Sequence, residues 1–123
     1  MIRRGPDIPA IDALEADRRL REDVDRPILL DVREPDEFVA IRAPGATLFP
    51  TSTFMLRIAE LPRDRPILVI CRSGNRSASV TDYLLRSGWT DVVNISGGMI
   101  IWERAGLPVR RGPTTPGEGL LGD

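Results

Sequence analysis

The stretch "PILVICRSGNRSASVTDYLLRSG" (residues 66–88) decides the reading of the fold. It opens with a proline and an unbroken apolar run, "PILVIC" (66–71), which reads as a buried strand. A polar, glycine-containing turn, "RSGN" (72–75), follows. Then "RSASVTDYLLRSG" (76–88) reads as a helix ended by Gly88. A strand that is apolar on both faces and runs straight into a helix belongs to a parallel sheet.

The same alternation continues on either side. "PILLDV" (27–32) and "DVVNI" (91–95) read as two further buried strands. "EPDEFVAI" (34–41) reads as a helix, with Pro35 in its first turn and acidic residues suited to its positive end. "APGATLFP" (43–50) is a turn into a brief extended segment. "STFMLRIAEL" (52–61) reads as an amphipathic helix capped by Thr51 or Ser52. Ile8, Ile11 and Leu14 in "IPAIDALEADRRL" fall at helical spacing. "GGMIIWERAG" (97–106) reads as a last short helix, with Trp102 in the core. Strands alternating with helices make an α/β domain with a mainly parallel sheet. From residue 110 the chain is rich in Gly and Pro, so 1–109 is expected as one domain and 110–123 as a flexible tail.

Composition narrows the chemistry. The chain has 123 residues, which suits one domain, and a net charge of −1. Near-neutral charge gives no bulk attraction to nucleic acid or anionic lipid. No apolar run is long enough to span a membrane, and the N-terminal stretch lacks an apolar signal core, so the expected location is the cytoplasm. There is no histidine, which removes an imidazole base and a histidine metal site. All 17 basic residues are arginine, which removes lysine chemistry. One cysteine permits no internal disulfide, no redox pair and no cysteine-rich metal site. Neither a metal nor an organic cofactor is implied.

That cysteine, Cys71, is the candidate nucleophile. It stands at the carboxyl end of a strand, where open α/β sheets bind ligands. Successive N–H groups of a tight turn can converge on an anion, and the following helix adds its positive end. Arg72 and Arg76 add permanent charge if their side chains turn inward. Each of these favours thiolate over thiol, and a thiolate is a nucleophile without a histidine base. An inert core cysteine is the alternative, but it has no use for a polar turn between two arginines.

Three blocks in this order resemble the rhodanese-like sulfurtransferases: "LLDVREPDEF" (29–38), "CRSGNRS" (71–77) and "NISGGMIIWERAGLPV" (94–109). The resemblance covers roughly residues 8 to 109 and implies a five-stranded parallel sheet between helices. It implies that Cys71 attacks the sulfane sulfur of thiosulfate or another anionic donor and carries it as a persulfide. Cyanide or a thiol, a protein thiol included, would then take the sulfur. The backbone of Arg72, Ser73, Gly74, Asn75, Arg76 and Ser77 would hold the persulfide. The two arginines would hold the donor and departing sulfite, and Asn75, Ser73 and Ser77 would brace the loop or cap the helix. Asp31 and Arg33 would play a supporting role, in an ion pair with each other or with neighbours that fixes loops near the pocket.

The chain departs from this pattern at "IRAPGA" (41–46), where the family usually has Gly-His-Ile-Pro-Gly-Ala. Arg42 stands at the histidine position. It is either a solvated surface arginine or an added charge near the pocket that favours an anionic donor. Two other functions stay open. A cysteine-dependent phosphatase or arsenate reductase would have five residues between Cys and Arg, where this loop has the four of "RSGN". A non-enzymatic module would bind, or relay sulfur to, one protein partner.

Overall fold

The computed structural model of the protein describes residues 8–122. The first seven residues of the expected domain and Asp123 of the expected tail lie outside them. The strands are β1 (Ala10–Ile11), β2 (Ile28–Asp31), β3 (Thr47–Leu48), β4 (Ile67–Ile70) and β5 (Val92–Ile95). The helices are α1 (Ala13–Glu22), α2 (Pro35–Ala40), α3 (Phe54–Arg57), α4 (Asn75–Arg86) and α5 (Gly98–Arg104). All strand pairs are parallel, in the order β1-β5-β4-β2-β3. This is the five-stranded α/β architecture expected.

The apolar runs explain the layering. β2 and β4 are buried along their whole length, as strands covered on both faces must be. Alternate residues face opposite sides. Ile28, Leu30, Ile67, Val69 and Val92 join a core with Phe54, Val80, Leu84 and Trp89, the side of α3 and α4. Leu29, Leu68, Ile70 and Ile95 join a second core with Ala13, Ala16, Phe38, Met99 and Trp102, the side of α1, α2 and α5. The helix after β2 therefore packs on one face and the helix after β4 on the other. These two strands are neighbours, so the carboxyl end between them is a topological switch point, where such sheets open a crevice.

Three expectations change. The amino-terminal pattern does not make one helix from Ile8. Ala10–Ile11 pairs with β5, Asp12 accepts from the Glu15 N–H at 2.8 Å and starts α1, and Ala13 and Ala16 form its buried face while Leu14 is exposed. The segment 52–61 is not one amphipathic helix. α3 is a single turn between two 3-10 turns, and only Phe54 among its residues is buried. Thr51 and Ser52 do not cap it, because their hydroxyls donate to Glu34 at 3.2 and 2.6 Å.

Residues 110–122, expected as a free tail, run back along the domain. Arg110 pairs antiparallel with Arg42. The Gly112 N–H donates to the Val39 carbonyl, and the Leu48 N–H to that of Gly119, each at 2.8 Å. Leu121 packs against the core. The glycines that read as flexibility hold left-handed turns instead, with φ of 93° at Gly112 and 86° at Gly119.

Candidate active site

Cys71 follows directly on β4, at the carboxyl end of the central strand, and is 1% exposed. Its Sγ accepts the Gly74 N–H at 3.1 Å and the Ser77 hydroxyl at 3.2 Å. Gly74 has φ 105°, a left-handed conformation that folds the turn back so that its own N–H meets the sulfur. α4 starts at the next residue and directs its positive end at the same place. Burial pushes the Cys71 thiol up. The Ser77 hydroxyl and the N–H groups of Ser77, Gly74 and Ser73 pull it down by more, so it lies below the ordinary cysteine value. All of these donors need an acceptor, and thiolate is a far better one than thiol.

Neighbouring elements fix the loop from behind. The Met99 N–H donates to the Cys71 carbonyl at 2.8 Å, and the Ile100 N–H to the Arg72 carbonyl at 3.1 Å. The first turn of α5 thus clasps the backbone on which the sulfur sits. Gly98 allows that approach: a Cβ there would run into the Cys71 carbonyl and stand 2.6 Å from the Arg72 oxygen. From β5, Asn94 Nδ2 donates to the Gly74 carbonyl at 3.3 Å, and Asn94 Oδ1 is buried with no partner among the described residues.

The site residues expected from sequence separate into groups. Ser77 is buried and touches the sulfur, and Gly74 and Ser73 supply backbone donors. Asn75 is the exposed first residue of α4, so the helix starts on Gly74 without a side-chain cap. Arg72 is exposed and forms no ion pair among the described residues. Arg76 does not point free into the site. It makes a two-point ion pair with Glu37, both nitrogens at 2.7 Å from a carboxylate oxygen. The Arg76 hydrogen bonds drive Glu37 down to about 2, against the opposing effect of its partial burial, and Glu37 in turn raises Arg76.

Of the two pairings left open, Asp31 and Arg33 pair with each other, buried, at 2.8 Å. Arg33 also donates to the carbonyls of Glu37 at 3.2 Å and Ile41 at 2.6 Å, which ties the end of β2 to the carboxyl-terminal turn of α2. Arg42 meets neither expectation. It is buried rather than solvated, and its partners are not in the loop. Its guanidinium pairs with Glu118 and donates to the carbonyls of Phe38 at 3.2 Å and Gly112 at 2.8 Å. It anchors the carboxyl-terminal segment.

Sequence reading missed Glu37, Gly98 as a contact to the loop, Asn94 and Glu118. Glu37 sat in view inside "EPDEF", but nothing local shows that it reaches a residue 39 positions away. A cavity of about 260 Å³ beside the loop is lined by Arg33, Glu37, Ile41, Arg72, Met99 and Glu103. No cluster of three or more metal-ligating side chains occurs among the described residues, and none of their helices is long and apolar enough to cross a membrane.

Comparison with known proteins places this geometry. Residues 12–105 match the rhodanese-like domain model. A sulfurtransferase of Allochromatium vinosum is 37% identical over 99 residues, which cover 80% of this chain and 92% of that protein. A probable adenylyltransferase/sulfurtransferase of Mycobacterium tuberculosis is 33% identical over 96 residues, only 24% of its length. Among solved structures, a rhodanese-related protein of Thermoplasma volcanium superposes with a TM-score of 0.75 at 30% identity, covering 83% of this chain and 97% of that one. A thiosulfate sulfurtransferase of Pseudomonas aeruginosa gives 0.76 at 30% identity, covering 87% of this chain and 21% of that one.

Proposed function

Since the chain belongs to the rhodanese-like domain family of sulfurtransferases, we propose that it transfers sulfane sulfur through a persulfide on Cys71. One observation carries this reading: Cys71 Sγ accepts from Gly74 N–H and Ser77 O–H at the head of α4. A sulfur that must be charged to attack, and stays charged once it holds a second sulfur, needs such a cradle in both states.

The first step is attack of the Cys71 thiolate on the outer sulfur of thiosulfate. A new S–S bond forms, the S–S bond of thiosulfate breaks, and sulfite leaves with the electron pair. The enzyme holds Cys–S–S⁻. In the second step, cyanide or a thiolate attacks the terminal sulfur, and thiocyanate or a new persulfide departs. The Cys71 thiolate returns, and no external oxidant or reductant is needed. A slim terminal sulfur suits a nucleophile with 1% exposure, because only that atom has to enter the cradle. The acceptor is a small thiol, cyanide or a cysteine of a protein.

Intact mass before and after incubation with thiosulfate tests the reading, on the native protein and on Cys71→Ser. The expected result is a gain of one sulfur atom on the native protein only, reversed by cyanide. A folded native protein that gains no sulfur from thiosulfate or from a persulfide donor would overturn it. Hydrolysis of an aryl phosphate in a parallel assay would instead support a phosphatase.

A further inference from the structure

Family membership leaves open which sulfur donor the loop prefers, and the charges around Cys71 bear on that. Two arginines lie within the loop, but their situations differ. Arg72 is exposed and has no carboxylate partner among the described residues. Arg76 precedes Ser77, whose hydroxyl touches the sulfur, and gives both terminal nitrogens to the Glu37 carboxylate at 2.7 Å.

Glu37 is itself held on several sides. Its Oε1 accepts the Glu34 N–H at 3.0 Å, and its carbonyl accepts Arg33 Nη1 at 3.2 Å. The carboxylate is held by the start of α2 and the Glu37 backbone by Arg33, so Arg76 is drawn to it rather than the reverse. The pair is half-exposed, with side-chain exposures of 35% and 26%, and such a pair adds little to stability. Its larger effect is on the field at the site. It brings one positive and one negative charge to the loop, with a sum of zero.

We propose that Glu37 sets the donor preference of this site: by engaging Arg76 at two points, it withdraws that charge from the incoming donor and disfavours a dianion relative to a monoanion with the same sulfane sulfur. The proposal rests on Cys71 being the sulfur carrier. Among the described residues of the loop, thiosulfate, a dianion, then meets Arg72 and the backbone donors as the uncommitted positive groups. A donor with a single charge loses less by this arrangement.

Thiosulfate and an aryl thiosulfonate separate the two cases. Both place an outer sulfur on a sulfonyl sulfur, and both lose it to a thiolate by the same exchange. Sulfite leaves from the first and sulfinate from the second, each with the bonding pair. The substitution Glu37→Gln keeps an amide oxygen for the Glu34 N–H and removes the negative charge. The ratio of kcat/KM for thiosulfate to that for thiosulfonate should rise about three- to tenfold, the effect of one partly screened charge several ångströms away. The rise should shrink as salt is added. Arg76→Gln uncovers Glu37 and should lower the ratio. The double variant has a net charge of zero at these two positions and should return close to the native ratio. An unchanged ratio in both single variants, in proteins that remain folded by circular dichroism, would overturn the proposal. If Glu37→Gln fails to fold, Arg76→Gln alone decides, since a ratio equal to the native value contradicts the claim. Failure of both donors to add sulfur to native Cys71 would overturn the function reading and this proposal together; loading with an unchanged ratio would overturn this proposal only.

Discussion

Ser77 Oγ donates to Cys71 Sγ across 3.2 Å, from a side chain that is fully buried. A hydroxyl shielded from water has few other acceptors, so its hydrogen bond favours the thiolate strongly. Ser77→Ala removes that donor while changing the volume little. A hydrogen bond to a charged group contributes about 1.5–3 kcal/mol, so alkylation of Cys71 by iodoacetamide at neutral pH should slow by about ten- to a hundredfold. The pH profile should move to higher pH, because the thiolate is lost at a higher pH when its donor is gone. An identical profile would show that the backbone donors alone hold the thiolate.

Gly98 supports the same sulfur from the far side. Its φ of 55° is left-handed, and a side chain would enter the space of the Cys71 and Arg72 carbonyls. Gly98→Ala should therefore displace the loop and cost about 2–4 kcal/mol in urea denaturation. Gly117 has φ 83° but open space around it. Gly117→Ala meets the backbone penalty only and should cost about 1 kcal/mol. Sulfur transfer should fall sharply in the first variant and stay near native in the second. Equal losses in both would mean that contact with the loop is not what Gly98 provides.

What was legible in the sequence follows from distance along the chain. β2, β4 and β5 could be read because a parallel strand covered on both faces is a continuous apolar run. The sulfur cradle could be read because Cys71, Gly74 and Ser77 lie within one turn of chain. β1 could not be read: it is two residues long and is defined by its pairing with β5. The helical spacing of Ile8, Ile11 and Leu14 was misleading, because α1 packs on alanines that carry little apolar signal. Asp31 and Arg33 are two positions apart, so an ion pair at this place was accessible, though not whether the two would pair with each other or with neighbours. Arg76 and Glu37 are 39 apart, and Arg42 and Glu118 are 76 apart. Those pairs exist only once the sheet has brought α2 to α4 and the carboxyl-terminal segment to α2.

Arg42 shows how such a long-range pair changes a functional expectation. Its charge is taken up by Glu118, which it holds down to about 2, and its remaining donors serve backbone carbonyls. Arg42→Ala should leave the KM for thiosulfate unchanged. It should cost about 2–3 kcal/mol in urea denaturation, since the buried Phe38 carbonyl and the partly buried Gly112 carbonyl lose a charged donor. Limited proteolysis should then cut within residues 110–122 faster than it does in the native protein. A raised KM with full stability would return Arg42 to the substrate site.

The acid limb of stability tests the Glu37–Arg76 pair independently of catalysis. Glu37 is held at about 2 in the folded protein, against about 4.3 for a glutamate in an unfolded chain. Between these values the unfolded state binds the extra proton, so stability rises with pH. The contribution of Glu37 is fully present above about pH 5 and is lost as pH falls toward 2. The pair is partly exposed, and solvent screening leaves roughly 1 kcal/mol of it. Glu118, also at about 2, falls in the same window and adds to the slope. Urea denaturation at pH 7, 4 and 3 should therefore show the native protein weakening with acid. Glu37→Gln should start slightly less stable at pH 7 and lose less between pH 4 and pH 3, so that the two curves converge. Parallel curves would mean that Glu37 titrates normally and that Arg76 is not held by it in solution.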